Sequence, residues 1–233
     1  RRVLFRSLVL FGTLNDSTTE TTDAGVILHT DAATETAVAG IRNATGGEYT
    51  ERTVSGQPVY APATRDGRWI GVLGEGEVVV GTRAAVSDTI NVTAGDADAF
   101  DGPLRTAYDD TTNGTVRFAT TSPDVLLPPE AGFVTNVQLY RDLQTVGGTY
   151  YIQSGRTGVE LRLRANSAAN ARSVAQATNG TVAVLPTYVE NETAAEAVQS
   201  VEVRQQGSTV TVTYDAPAGE FQRLLGYLYG AGR

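Results

Sequence analysis

The 233-residue chain has no cysteine, no methionine and no lysine, and only one histidine and one tryptophan. Without cysteine there is no thiol nucleophile, no disulfide and no thiolate metal site. With one imidazole, His29, a zinc site would have to be completed by carboxylates, which is an uncommon donor set. The missing lysine removes any Gly-Lys-Ser/Thr phosphate loop. The four glycines from Gly71 to Gly81 read as part of a hairpin, not a strand-to-helix loop, so nucleotide binding is not expected. Long apolar runs are scarce as well: Val3 to Leu14 is interrupted by Arg6 and is too short to span a bilayer, which predicts no transmembrane helix.

What remains is an acidic chain whose only cations are arginines, 18 of them against 26 carboxylates, for a net charge of −8. Arginine is weakly hydrated and pairs bidentately with carboxylates. In molar salt the Debye length shrinks to about 3 Å, so a carboxylate-rich surface repels itself little. The composition suits concentrated salt and argues against nucleic acid as a partner; a GC-rich genome is the rival source of the same bias. The first seven residues, Arg1 to Ser7, resemble a translation of the end of a common short-read sequencing adapter and are expected not to belong to the native protein. The native chain is then expected to enter near Leu8 from an upstream segment, and its charge deepens to −11 once Arg1, Arg2 and Arg6 are removed.

Six of the nine asparagines, Asn15, Asn43, Asn91, Asn113, Asn179 and Asn191, begin Asn-x-Ser/Thr. With 42 Ser and Thr in the chain, roughly one or two such sequons are expected by chance. The excess implies an exported chain: these six are the expected glycan acceptors, and the expected location is outside the cytoplasm, at the cell surface or secreted.

Residues 25 to 47 match residues 158 to 180 without a gap, with seven identities, among them Gly25/Gly158, Val26/Val159 and Leu28/Leu161. Thr34, Ala37, Val38 and Ile41 keep helical spacing, as do Ser167, Asn170, Ala171 and Val174, so each copy reads as a strand followed by an amphipathic helix. A hairpin and a second helix then follow in each half. The hairpins turn at Gly74-Glu75-Gly76 and at Gln206-Gly207-Ser208, and the helices are Arg83 to Ile90 and Ala218 to Tyr229. Val159, Leu161 and Leu163 alternate with Glu160, Arg162 and Arg164, as half-buried antiparallel strands do. The fold class expected is α+β, a tandem duplication of a strand-rich unit with mostly antiparallel sheets, each covered on one face by helices. The domains expected are a first repeat over 8–121, a Pro-rich linker over 122–132 and a second repeat over 133–233.

Residues able to do chemistry mostly have structural explanations. His29, near Asp31, has no nucleophile motif beside it and reads as a strand-end residue. The Asp96, Asp98 and Asp101 cluster departs from calcium-loop spacing; Asp98 reads as a helix cap with Asp101 at the third helical position. Tyr150, Tyr151, Tyr227 and Tyr229 read as core-edge aromatics. Arg162 and Arg164 beside Glu160, and Arg204 beside Glu202, read as cross-strand ion-pair ladders, with an anion site as the functional alternative.

In its acidity, its lack of lysine and cysteine, its abundant threonine and its sequons, the whole chain resembles uncharacterised exported proteins of halophilic archaea. That resemblance implies habitat and compartment but no active site. The expectation is a non-catalytic extracytoplasmic protein of the cell envelope, structural or partner-binding, without cofactor or metal. A protein or envelope partner, and a lipid or membrane tether upstream, fit the same picture. The alternatives are a solute-binding protein with its site between the repeats and a secreted hydrolase built on His29 or the Asp cluster.

Overall fold

The structure, a computed structural model, describes residues 5–14, 21–121, 140, 143–188, 198–217 and 219–220. Its contacts divide the chain into two compact units, 1–99 and 100–233. The Pro-rich segment 122–132 lies outside the described residues, as does the expected last helix beyond residue 220. The strand Val116–Thr120, N-terminal to that segment, pairs within the second unit.

The first unit runs β1 (Phe5–Leu14), β2 (Thr21–Thr30), α1 (Thr34–Thr45), β3 (Tyr49–Val54), β4 (Gln57–Pro62), β5 (Trp69–Gly74), β6 (Glu77–Gly81) and α2 (Arg83–Ala94). Its six strands form one antiparallel sheet in the order β1-β2-β6-β5-β4-β3. The second unit runs α3 (Gly102–Asp109), β7 (Val116–Thr120), β8 (Leu143–Gln153), β9 (Arg156–Ala165), α4 (Ala168–Tyr188), β10 (Val201–Gln206) and β11 (Thr209–Pro217). Its sheet is also antiparallel, in the order β10-β11-β9-β8-β7.

Both sheets are built on one plan. A hairpin (β1–β2 or β8–β9) leads into a helix (α1 or α4), and a second hairpin (β5–β6 or β10–β11) returns with its later strand against the first hairpin. The central pairings correspond: Leu28 faces Val78 and Val26 faces Val80 in the first unit, as Leu161 faces Val212 and Val159 faces Tyr214 in the second. This shared order fits the tandem duplication read from the 133-residue offset. The units differ at their margins, where the hairpin β3–β4 extends the first sheet beyond β5 and β7 extends the second beyond β8.

The repeated glycine at the heart of the offset has a packing reason. Gly25 stands opposite Phe11 and Gly158 opposite Tyr151, and each aromatic ring lies over its glycine. A Cβ would fall 2.4 Å from the Phe11 ring and 2.1 Å from the Tyr151 ring. An aromatic laid across a strand glycine covers the backbone that the glycine leaves bare, and it fixes register.

The helices depart from the one-face expectation. In the first unit Ala37 and Val38 of α1 pack with Ile70 and Val78, whereas Val86 and Ile90 of α2 pack with Leu73 and Val79. Val78 and Val79 are adjacent on β6 and point to opposite faces, so α1 and α2 cover opposite sides of the sheet. The consecutive valines Val78, Val79 and Val80 supply the apolar surface on both sides. In the second unit, Ala171, Val174 and Ala175 of α4 close the apolar face over Val146, Leu163 and Val210. The short helix α3 lies on the other face, and that placement creates the site.

Candidate functional site

The second sheet's polar face is set by the alternation along β9, which turns Leu161 and Leu163 toward α4 and leaves Arg162 and Arg164 on the opposite side. Directly across from these arginines stand threonines. Arg162 faces Thr211 and Gly147, and Arg164 faces Thr209 and Thr145. Helix α3 reaches this face because Gly147 has no side chain: a Cβ there would lie 2.7 Å from the Ala107 carbonyl oxygen. Covering β8 but not β9 and β11, α3 leaves a pocket of about 250 Å³. Arg162, Arg164, Thr145, Thr209 and Thr211 line it from the sheet, Gln206 from the end of β10, and Ala107 and Asp110 from α3 and its C-terminal end.

The expected cross-strand ladders do not form. Arg162 Nε donates to Glu160 Oε1 at 2.8 Å and Arg204 donates to Glu202 Oε2 at 2.6 Å, both along a single strand. The reason lies in the register: Arg162 and Arg204 both face Thr211, on opposite sides of it, and find no carboxylate across the ladder. Each guanidinium instead spans two residues along its own strand, a reach that its long stem allows. Arg164 makes no ion pair among the described residues.

At the far end of the same three strands, Tyr151 Oη donates to Asp215 Oδ2 at 2.7 Å, and Arg156 binds the other carboxylate oxygen and, at 3.1 Å, the Asp215 carbonyl. The hydrogen bond to Asp215 pushes the Tyr151 phenol up to about 12 and, with Arg156, holds the Asp215 carboxyl below its ordinary value. Sequence reasoning placed Tyr151 at a core edge and did not find this cluster, whose carboxylate comes from a strand 64 residues away.

His29 does sit at a strand end, but its partner is not Asp31. Nδ1 lies 2.9 Å from Glu77 Oε1, the residue directly opposite it on β6. Asp96, Asp98 and Asp101 are all exposed, and α3 begins at Gly102, so Asp101 is its N-cap residue and makes no side-chain capping bond. The helix starts later than expected because Gly102, at φ 62°, turns the chain and Pro103 opens the first helical turn. Among the described residues no three His, Asp or Glu side chains converge as a metal site. Of the six sequon asparagines, Asn43, Asn113 and Asn179 are exposed. Asn91 is half-buried, its Oδ1 accepting from Ser55 Oγ at 2.8 Å. Asn15 and Asn191 lie outside the described residues, as do Tyr227 and Tyr229. No helix among the described residues is long and apolar enough to cross a membrane.

Fold and pocket together define a two-unit antiparallel α+β protein with a polar recess on one sheet. No protein-family model matches the chain, and no curated protein matches it. Among solved structures it is similar to crystal form III of TP0453, with a TM-score of 0.51 and 10% identity, over 93% of this chain and 78% of that one. Crystal form I of the same protein gives a TM-score of 0.49 at 10% identity, over 94% and 79%. At that identity the likeness concerns the fold alone.

Proposed function

We propose that this is a non-catalytic extracytoplasmic protein of the cell envelope, with a structural or partner-binding role and glycans carried on both units. The observation that carries the reading is the placement of the sequons: none of the four described acceptors is buried, and they are spread over α1, α2, the segment before β7, and α4. Excess sequons on an acidic, lysine-free chain are what an exported protein of concentrated brine would carry. The residues with most chemical promise are engaged in the fold, His29 by Glu77 and Asp215 by Tyr151 and Arg156.

Glycopeptide mass spectrometry on protein from its native source tests this directly. Occupancy is expected at Asn43, Asn113 and Asn179, with less at Asn91, whose amide is half-buried and engaged by Ser55. Unmodified asparagine at all six sequons would overturn the reading.

A further inference from the structure

We propose that the pocket on the second sheet binds a small zwitterion, a molecule with a carboxylate and an ammonium group a few atoms apart. This goes beyond the envelope reading and does not depend on it. Other charges near this face are held by partners: Arg105 by Asp109, Arg156 by Asp215, Arg162 by Glu160 and Arg204 by Glu202, while Arg117 donates to the Tyr108 carbonyl and to Thr111 Oγ1. Two charges of opposite sign that line the same pocket are not. Arg164 and Asp110 form no ion pair with each other or with any other described residue.

A pocket with one open cation on its floor and one open anion on its wall matches a ligand of the same double polarity. The Arg164 guanidinium presents the fork that grips a carboxylate, with Arg162 beside it on the strand. The Asp110 carboxylate takes the ammonium, and the hydroxyls of Thr209 and Thr211 can satisfy the remaining polar atoms. A plain anion would meet repulsion from Asp110, and a plain cation repulsion from the two arginines. Thr145 is only 1% exposed, so the floor of the pocket is fixed by the sheet. In concentrated salt long-range attraction is screened, and recognition by short hydrogen bonds inside a recess is the kind that survives.

The test is calorimetric titration of the full chain with L-alanine, L-serine and L-glutamine, and with acetate and methylammonium as the two halves of the ligand. At least one amino acid is expected to saturate a single site and to bind roughly ten-fold or more tightly than either half, since each half forgoes one charged hydrogen bond. Arg164→Gln and Asp110→Asn should each weaken it by about the same factor, and Asp109→Asn, outside the pocket, should not. The replaced side chains are exposed, and unchanged far-ultraviolet circular dichroism verifies that each variant folds. No saturable binding of any of the three amino acids overturns the proposal. So does acetate binding as tightly as the best amino acid, with Asp110→Asn neutral or improved, because that result describes a bare anion site.

Discussion

Replacing Gly76 by alanine is expected to destabilise the first unit by about 3 kcal/mol, from the cost of a left-handed residue together with backbone overpacking. Gly76 sits at φ 70° in the β5–β6 turn, and a Cβ would lie 2.4 Å from the Thr30 carbonyl oxygen. The neighbour is backbone, so no side chain can swing aside to relieve it. Three elements meet at this residue. Its carbonyl accepts from Thr30 N–H at 2.8 Å, and its N–H donates at 3.1 Å to Thr34 Oγ1 in the first turn of α1. Lifting the turn would therefore loosen the end of β2 and the start of α1 together. Trp69, the only tryptophan, lies on β5 and reports on this unit by fluorescence during urea unfolding. A clear drop in midpoint is the expected result, and exposed Glu75→Ala serves as the near-neutral comparison.

The second large effect separates the two copies of the repeated glycine. Gly158→Ala places a methyl 2.1 Å from the Tyr151 ring, which can leave only by breaking its bond to Asp215. The loss is expected at about 2 kcal/mol, combining overpacking with a charged hydrogen bond discounted for its partial exposure. Gly25→Ala displaces Phe11, which has no polar tie, and should cost about half as much. The pH dependence carries the signature of the cluster. Tyr151 is raised from 10.0 to about 12, so its contribution is fully present below pH 10 and is lost as pH climbs through about 12. Asp215 is lowered from 3.8, so its contribution is present above that value and is lost as pH falls through the depressed one. The stability gap between the native chain and Gly158→Ala should be level between about pH 4 and pH 10 and should narrow outside that window at both ends. Phenolate absorbance should show Tyr151 titrating nearer its ordinary value in the variant. A gap that ignores alkaline pH would mean that the Tyr151–Asp215 bond contributes nothing.

Much of the frame was legible because it rests on local pattern. Alternation along β9 and β10 and the glycine-bearing turns at Gly76 and Gly207 gave the hairpins close to their observed bounds. The i, i+3, i+4 spacing placed α1 and the start of α4, where Val38, Ala171 and Val174 are buried. The hairpin β3–β4 was not legible. Thr50, Glu51, Arg52 and Thr53 on its edge strand are all exposed and show no apolar period, and its turn is a Ser55-Gly56 pair in which both residues have positive φ. Nor was the pocket. The arginines on β9 could be seen, but the recess around them exists only because α3 crosses β8 at Gly147, a contact between residues 40 positions apart. The glycine at the centre of the repeat was visible as an identity, whereas its cause, an aromatic ring on the partner strand, depends on registers that sequence alignment does not carry.

The β-β-α-β-β plan shared by the two halves of the chain is decided by which strands lie side by side. Interstrand nuclear Overhauser contacts in the folded chain read this directly. The duplication predicts contacts between Val26 and Val80 and between Leu28 and Val78 in the first unit, matched by Val159 with Tyr214 and Leu161 with Val212 in the second. Contacts placing β5 rather than β6 beside β2, or β10 rather than β11 beside β9, in only one of the units would give the halves different orders and contradict it.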